Sequence, residues 1–488
     1  MLDKSSVSSD QTVDRVRTLI AIPQTPLSWR VLIAAGCLLL TAVAYTFQRT
    51  IMPRGQAFAG ILIFFGIVAM FSSNLRAVNW RTIGWGFCLQ LLLALLVLKG
   101  HFEIGGQSYS VKSGIEHLGR MFKVFIGFSD QGAEFVFGNL ARPEDLINVY
   151  GRDFLFPFAF KALPPILFVS AFFTVLFHFG VLQWCVRLMA RMMSVLMQTS
   201  GAETLSVSAN VFMGQTESPL IVKLYVPRMT NSELFTLMVS GFAHISGGMM
   251  FVYINYGADP AAVMTTCVMS CPCSLYLAKL FLPELGIPET GGEMQIAREK
   301  SPYVNAIDAA AQGTTVGVQL AINVAAMLIV FISFVAMFDT LLTSIKPLLL
   351  WIGVSGNSLF FWPDDLSLSK VFGWLFSPVA FLMGVESQDA ETVGSLLGSK
   401  LAINEHFAYL RFKSLQRIDP QFITERSKIL TAFALTGFAN FASVGIQLGG
   451  IGTIAPERRH DLARLGGRAL FVGFTATLLN AAVAGLLM

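Results

Sequence analysis

Charge is what this chain has least of. Of 488 residues only 13% are Asp, Glu, Lys or Arg, and the formal net charge is +4. So small a balance, with its basic residues scattered through short polar stretches, excludes the basic surface that nucleic acid requires. Cysteine is scarce too. Cys37, Cys88, Cys185, Cys267, Cys271 and Cys273 fall mostly within apolar runs, and Cys271-Pro272-Cys273 has the spacing of neither a zinc site nor a thioredoxin-type motif. His101, His117, His178, His406 and His460 show no metal-ligand spacing. An acid pair at close spacing and a His/Asp-rich motif are both missing, so the constellations of a membrane-embedded enzyme are not here.

What is present is apolar length. Hydrophobic residues make up 54% of the chain and the mean hydropathy is +0.64, which places it among polytopic membrane proteins. With a ruler of about 20 apolar residues per crossing, nine spans are predicted: 31–48, 57–73, 82–99, 162–182, 232–256, 260–281, 317–343, 427–453 and 466–487. The stretch before the first is too long and too mixed in charge for a signal-peptide n-region, so that span stays as an anchor. Lys4, Arg15, Arg17 and Arg30 precede it and favour a cytoplasmic N-terminus. Counting forward puts Arg458, Arg459 and Arg464 on the same side, with segment 183–198 and its Arg187 and Arg191. Tail 1–29 has the composition of a disordered segment.

Two regions do not read as simple spans. Residues 200–226 contain Gly214-Gln215-Thr216-Glu217-Ser218-Pro219, and residues 393–413 contain Asn404-Glu405-His406. An ionisable group at membrane depth costs roughly 3 kcal/mol on insertion scales. Irregular backbone is tolerated there only against protein or a water-filled cavity. Both regions are therefore read as re-entrant hairpins with polar tips, the first entering from the cytoplasm and the second from outside. Gly241-Phe242-Ala243-His244 follows the first, and Gly437-Phe438-Ala439-Asn440 follows the second 196 residues later. Small residues next to each copy lower helix propensity and permit unwinding. A hairpin, a broken helix and a further helix, occurring twice with opposite entry sides, make an inverted repeat with its binding site near the midplane. A passive channel would instead carry rings of like charge or a Gly-rich filter.

These residues carry a resemblance. Gly201-Ala202-Glu203-Thr204-Leu205-Ser206, the run Asn210-Val211-Phe212-Met213-Gly214-Gln215-Thr216-Glu217-Ser218-Pro219, and Met229-Thr230-Asn231-Ser232-Glu233-Leu234-Phe235 come first. Lys400-Leu401-Ala402-Ile403-Asn404-Glu405 with Ala408-Tyr409, Gly437-Phe438-Ala439-Asn440-Phe441-Ala442-Ser443, and Leu448-Gly449-Gly450-Ile451-Gly452 with Ala455-Pro456-Glu457-Arg458-Arg459 follow in order. From about residue 57 to its end the chain resembles the concentrative nucleoside transporter family. The resemblance implies an all-α, elevator-type symporter of the bacterial inner membrane that imports nucleosides and is not an enzyme. It implies a homotrimer, a scaffold formed partly by span 317–343, and a mobile transport domain bearing both hairpins. The division that follows is a polar cytoplasmic tail 1–30, an extra span 31–48, and N-terminal spans with an external segment 57–182. After these come a first repeat 183–282, a cytoplasmic connection and scaffold span 283–343, an external connection 344–392, and a second repeat 393–488.

By the same resemblance Gln215, Thr216 and Glu217 face the base, and Met249 packs on its ring or is an ordinary packing residue. Glu405 is the natural partner of vicinal ribose hydroxyls, since a carboxylate accepts two strong charge-assisted bonds. Its alternative role is an interhelical partner of Lys400 or Arg411. Asn440 and Ser443 complete the grip on the sugar, and Phe438 stacks or lines the pocket. No cofactor is implied beyond a coupling ion. Asn210, Met213 and Ile245 match the positions that hold sodium in the family, but His244 stands where a hydroxyl belongs. Imidazole is a poor ligand for a hard alkali cation and an apt proton acceptor. Three readings stay open: sodium bound with His244 turned away, a proton on His244 in its place, or His244 as a satisfied polar residue between helices.

Overall fold

The computed structural model describes residues 24–104, 107–142, 158–161, 163–291, 303–353, 363 and 366–488. The polar tail up to residue 23, residues 143–157, most of 354–365, and residues 292–302 with Glu293, Arg298 and Lys300 lie outside them.

Apolar length decides the architecture. Helix α1 (Leu27–Thr46) lies against α2 (Gln48–Met70) and leaves most of its surface open, as an added span facing lipid would. Helix α3 (Trp80–Lys99) leads into a short antiparallel hairpin, β1 (His101–Ile104) with β2 (Gln107–Ser110), the one departure from helix among the described elements. Helix α4 (Val111–Phe137) follows. The predicted span 162–182 is shorter than it reads. Helix α5 (Leu163–His178) stops where Gly180 takes φ +80°, and α6 (Val181–Met197) leaves at 73° to it. That conformation carries no steric cost only in glycine.

Beyond this bend the chain builds one pattern twice. In the first copy α7 (Gly201–Ala209), a tip, and the single-turn α8 (Ser218–Ile221) make a hairpin. A helix broken into α9 (Asn231–Ala243) and α10 (Gly247–Asn255) follows, then α11 (Pro260–Phe281). A single helix, α12 (Ala306–Trp351), links the copies. Its 46 residues measure about 69 Å at 1.5 Å each, well beyond a bilayer core, and it exposes apolar side chains such as Ile329 and Phe338. In the second copy α13 (Leu368–Leu382) precedes a hairpin of α14 (Ala390–Ala402) and α15 (Glu405–Ile418). The broken pair α16 (Glu425–Leu435) and α17 (Phe441–Ile454) and the closing α18 (Arg459–Leu487) complete it. The arms of the second hairpin run further than the predicted 393–413. Their polar ends, with Glu391 and Gln416, are good helix formers rather than loop.

Capping residues fix the register of the repeat. Thr230 and Thr424 cap the first half-helices and lie 194 residues apart, and Ser246 and Asn440 cap the second halves at the same separation. The Gly-Phe-Ala recurrence at 196 is therefore out of register with the fold. Residues 241–243 close α9, whereas 437–439 lie inside the second break. The second break opens earlier because Gly437 takes φ +150° against α9. A Cβ there would stand 2.6 Å from Thr477 Cγ2 and 3.0 Å from the Phe242 carbonyl.

The core lies between the copies, where α9, α10, α11 and α18 are almost wholly buried. At the foot of the first hairpin a buried charge cluster ties three elements together. Lys279 Nζ lies 2.8 Å from Glu203 and 3.1 Å from Glu284 and donates to Ser232 Oγ, while Ser200 Oγ donates to Glu233 at 2.6 Å. No spacing rule pointed to this cluster. Its members come from α7, α9 and the end of α11.

Candidate functional site

Unwinding a helix inside a membrane frees carbonyls and amides that need new partners. At the first break His244 goes extended (φ −112°, ψ 167°), and at the second Asn440 does (φ −145°, ψ 163°). The two breaks meet. The Phe438 amide, which a continuous helix would send to Ala434, donates to the His244 carbonyl at 3.0 Å. The first hairpin tip supports the first break, with the Gly247 amide donating to the Phe212 carbonyl at 3.0 Å.

Around this crossing a chain of polar side chains joins the two copies. Glu405, at the first turn of α15, is only 5% exposed. Its Oε1 accepts from the Tyr253 hydroxyl at 2.9 Å and its Oε2 from Asn440 Nδ2 at 2.8 Å. Asn440 Oδ1 in turn caps α17 by accepting from the Ser443 amide at 2.8 Å. Ser443 Oγ accepts from Gln215 Nε2 at 3.2 Å, and Gln215 Oε1 accepts from Gln447 Nε2 at 3.1 Å. Thus Gln215, from the first hairpin tip, reaches into the second copy, and Tyr253, from α10, reaches the second hairpin. Space for this comes from glycine: a Cβ at Gly241 would stand 2.6 Å from Gln447 Nε2, and one at Gly450 would stand 2.6 Å from Thr216 Cγ2.

The remaining residues named from sequence take different places. Thr216 packs against Gly450, and Met249 is buried in the first turn of α10 beside the Ser246 cap. Phe438 is half-buried at the second break. Glu217 folds back on its own tip and accepts from the Gly214 amide at 3.1 Å, so Gln215 makes the crossing. Lys400 and Arg411 do not bond Glu405. Lys400 Nζ donates to the Ala434 carbonyl and Thr477 Oγ1, and Arg411 donates to Ser369 Oγ. Tyr253 and Gln447 were not picked out from sequence. Each is one polar group inside an apolar or glycine-rich helix, and only the tertiary contact reveals it.

A second polar cluster flanks the first break. Asn210 Nδ2 donates to Ser240 Oγ at 2.9 Å, while Asn210 Oδ1 is buried without a partner. The Met213 and Ile245 carbonyls accept no hydrogen bond among the described residues. The His244 ring bonds none of these oxygens. Its Nδ1 lies 2.9 Å from the Ser240 carbonyl and 3.3 Å from Ser240 Oγ, and its Nε2 lies 3.4 Å from Cys271 Sγ. An Nδ1-protonated neutral ring satisfies this set, with the Cys271 thiol facing Nε2. Orphaned neutral oxygens are the donor type that a hard cation takes.

Comparison with known proteins identifies the family and the fold. Residues 59–140 match the model for the N-terminus of the Na+ dependent nucleoside transporters, and residues 262–485 match the model for their C-terminus. Residues 159–260 match the model named Gate, described as nucleoside recognition. A mouse protein named sodium/nucleoside cotransporter 1 is 36% identical over 442 residues, covering 88% of this chain and 63% of its own length. The chain thus spans about three fifths of that mammalian relative. A protein of Haemophilus influenzae named an uncharacterized transporter is 36% identical over 429 residues, covering 88% of this chain and 96% of its own. Among solved structures, CNTnw in an inward-facing substrate-bound state superposes with a TM-score of 0.78 at 33% identity, covering 89% of this chain and 98% of its own.

Proposed function

This chain belongs to the family of Na+ dependent nucleoside transporters, integral membrane proteins rather than enzymes, and from that premise we propose that it imports nucleosides across the inner membrane, driven by a cation gradient. The carrying observation is the chain Gln215–Ser443–Asn440–Glu405, which joins the tip of one hairpin to that of the other at the crossing of two helix breaks. A nucleoside has the matching order of groups. Glu405 keeps lone pairs beyond the two bonds it already accepts, and Asn440 keeps a second N–H, so vicinal ribose hydroxyls fit between them. Gln215 has its amide bonded at both ends, and a base edge with a donor and an acceptor can take over those two bonds at the Gln215 amide. Thr216, Glu217 and Met249 lie on the base side, and Phe438 stacks on the ligand or lines the pocket. The N-terminus lies in the cytoplasm, the chain assembles as a homotrimer on the long α12, and the hairpin-bearing part moves against that scaffold.

For the coupling ion the orphaned Asn210 oxygen, with the Met213 and Ile245 carbonyls, supports sodium, the His244 ring being bonded to Ser240 and Cys271 instead. A second reading is supported by His244 itself, which stands in sequence where the family has a hydroxyl and could take up a proton at Nε2 beside Cys271. Uptake of radiolabelled uridine into proteoliposomes separates them, using an inward sodium gradient at equal pH and then a proton gradient without sodium. Accumulation with sodium alone, lost in Asn210→Ala and kept in His244→Ser, supports sodium. Accumulation with the proton gradient alone supports the second reading. Equilibration without accumulation in either case overturns the proposed function.

A further inference from the structure

Lys400 is a buried lysine that the proposed substrate site does not use. It is 0% exposed and lies in the first arm of the second hairpin, five residues before Glu405. Its ammonium has no carboxylate within ion-pair distance among the described residues. Its partners are neutral: the Ala434 carbonyl at 2.7 Å, Thr477 Oγ1 at 2.9 Å, and the face of Phe474 with its centroid at 5.4 Å. A main-chain carbonyl, a threonine hydroxyl and an aromatic face are what an alkali cation accepts at a helix break. The carbonyl is available for a definite reason. The Phe438 amide, its partner in an unbroken helix, donates across to His244.

The register of the repeat gives this arrangement its meaning. Ala434 lies 194 residues after Ser240, the same separation as the paired helix caps. At the first break the Ser240 carbonyl keeps its helical bond from the His244 amide at 3.2 Å and lies 2.9 Å from His244 Nδ1, while the Ser240 hydroxyl accepts from Asn210, whose own oxygen is one of the proposed coupling-ion ligands. At the second break the equivalent carbonyl has lost its helical amide, and a nitrogen from the second hairpin takes its place. We propose that the Lys400 ammonium is a resident cation, built into the second break where the first break takes a mobile ion. The partial negative charge on the open end of α16 is then balanced throughout the cycle without a second ion. Lys400 is on this view a positioning residue, holding the second hairpin against its broken helix while Glu405 reads the ligand.

This rests on the cation-coupled reading above, and the test keeps the two apart. Full-length protein in proteoliposomes is assayed for uridine uptake against coupling-cation concentration and for charge moved per uridine, which is itself neutral. The parent is compared with Lys400→Gln and Lys400→Arg. Removing the resident charge is expected to make a mobile ion necessary in its place. Lys400→Gln then shows a cation Hill coefficient and a charge per uridine each raised by about one, and Lys400→Arg keeps the parent values. A Lys400→Gln protein that binds uridine with an unchanged cation order overturns the inference, as does one whose uptake is lost and not restored by raised cation. Should that variant fail to reconstitute, ¹⁵N NMR of lysine side chains in the parent decides. A charged Lys400 ammonium supports the proposal and a neutral amine overturns it. A parent that accumulates no uridine under any cation gradient instead overturns the reading of function.

Discussion

Removing the hydroxyl of Tyr253 isolates one bond at the centre of the proposed site. In Tyr253→Phe the ring stays, stacked on Tyr409 with centroids 4.4 Å apart, so packing is nearly conserved. What is lost is the 2.9 Å bond to Glu405 Oε1. A hydrogen bond to a charged partner contributes about 1.5–3 kcal/mol, and each 1.4 kcal/mol is tenfold in affinity. If that bond aims the carboxylate at the sugar, the Kd for uridine is expected to rise about ten- to a hundredfold. Discrimination against 2′-deoxyuridine should narrow as well, because a loosely held Glu405 gains less from the second hydroxyl. The assay is calorimetric titration of purified protein with both ligands. A variant that binds uridine as the parent does, or more tightly because the tyrosine had competed for the carboxylate, refutes the assignment of Tyr253 as Glu405's orienting partner.

Other outcomes follow from the same geometry. Glu405→Gln keeps the shape but loses the charge and one acceptor oxygen, so uridine affinity is expected to fall by about tenfold or more in the same titration. Gly437→Ala forces a Cβ into φ +150° with 2.6 Å to Thr477 Cγ2. It should cost about 1–3 kcal/mol and lower the thermal midpoint, and an unchanged midpoint would show that the second break is not strained. Lys279→Met removes the cation facing Glu203 and Glu284 and leaves the buried Glu203 carboxylate without its cation. A loss of about 3–5 kcal/mol is expected, read as a large drop in thermal midpoint, and a parent-like midpoint would contradict the role given to this cluster.

Much of the architecture was legible because membrane depth makes apolar length and buried charge conspicuous. The predicted hairpin tips at Glu217 and Glu405 stood out for that reason, and so did the long span now seen as α12. The contacts between the copies were less legible. Gln215 and Ser443 are 228 residues apart, and Tyr253 and Glu405 are 152 apart. No periodicity relates such positions, and a tyrosine or glutamine inside an apolar helix reads as packing. Glu217 drew notice as a charge, yet the neutral Gln215 beside it makes the crossing, because the tip backbone offers Glu217 the Gly214 amide. The recurrence of Gly-Phe-Ala pointed to a repeat that exists, in a register the helix caps correct by two residues. Lys400, offered with Arg411 only as an alternative partner of Glu405, bonds elsewhere. Its nearness in sequence suggested a partner for Glu405, but the carbonyl freed at Ala434 takes it.

The most direct measurement is binding of uridine and of 2′,3′-dideoxyuridine to the parent, Glu405→Gln and Gln215→Ala proteins. The account expects the parent to prefer uridine strongly, Glu405→Gln to lose that preference, and Gln215→Ala to weaken both ligands while keeping it. Equal binding of the two ligands by the parent, or a preference untouched by Glu405→Gln, would contradict the claim that the sugar lies on the second hairpin and the base on the first.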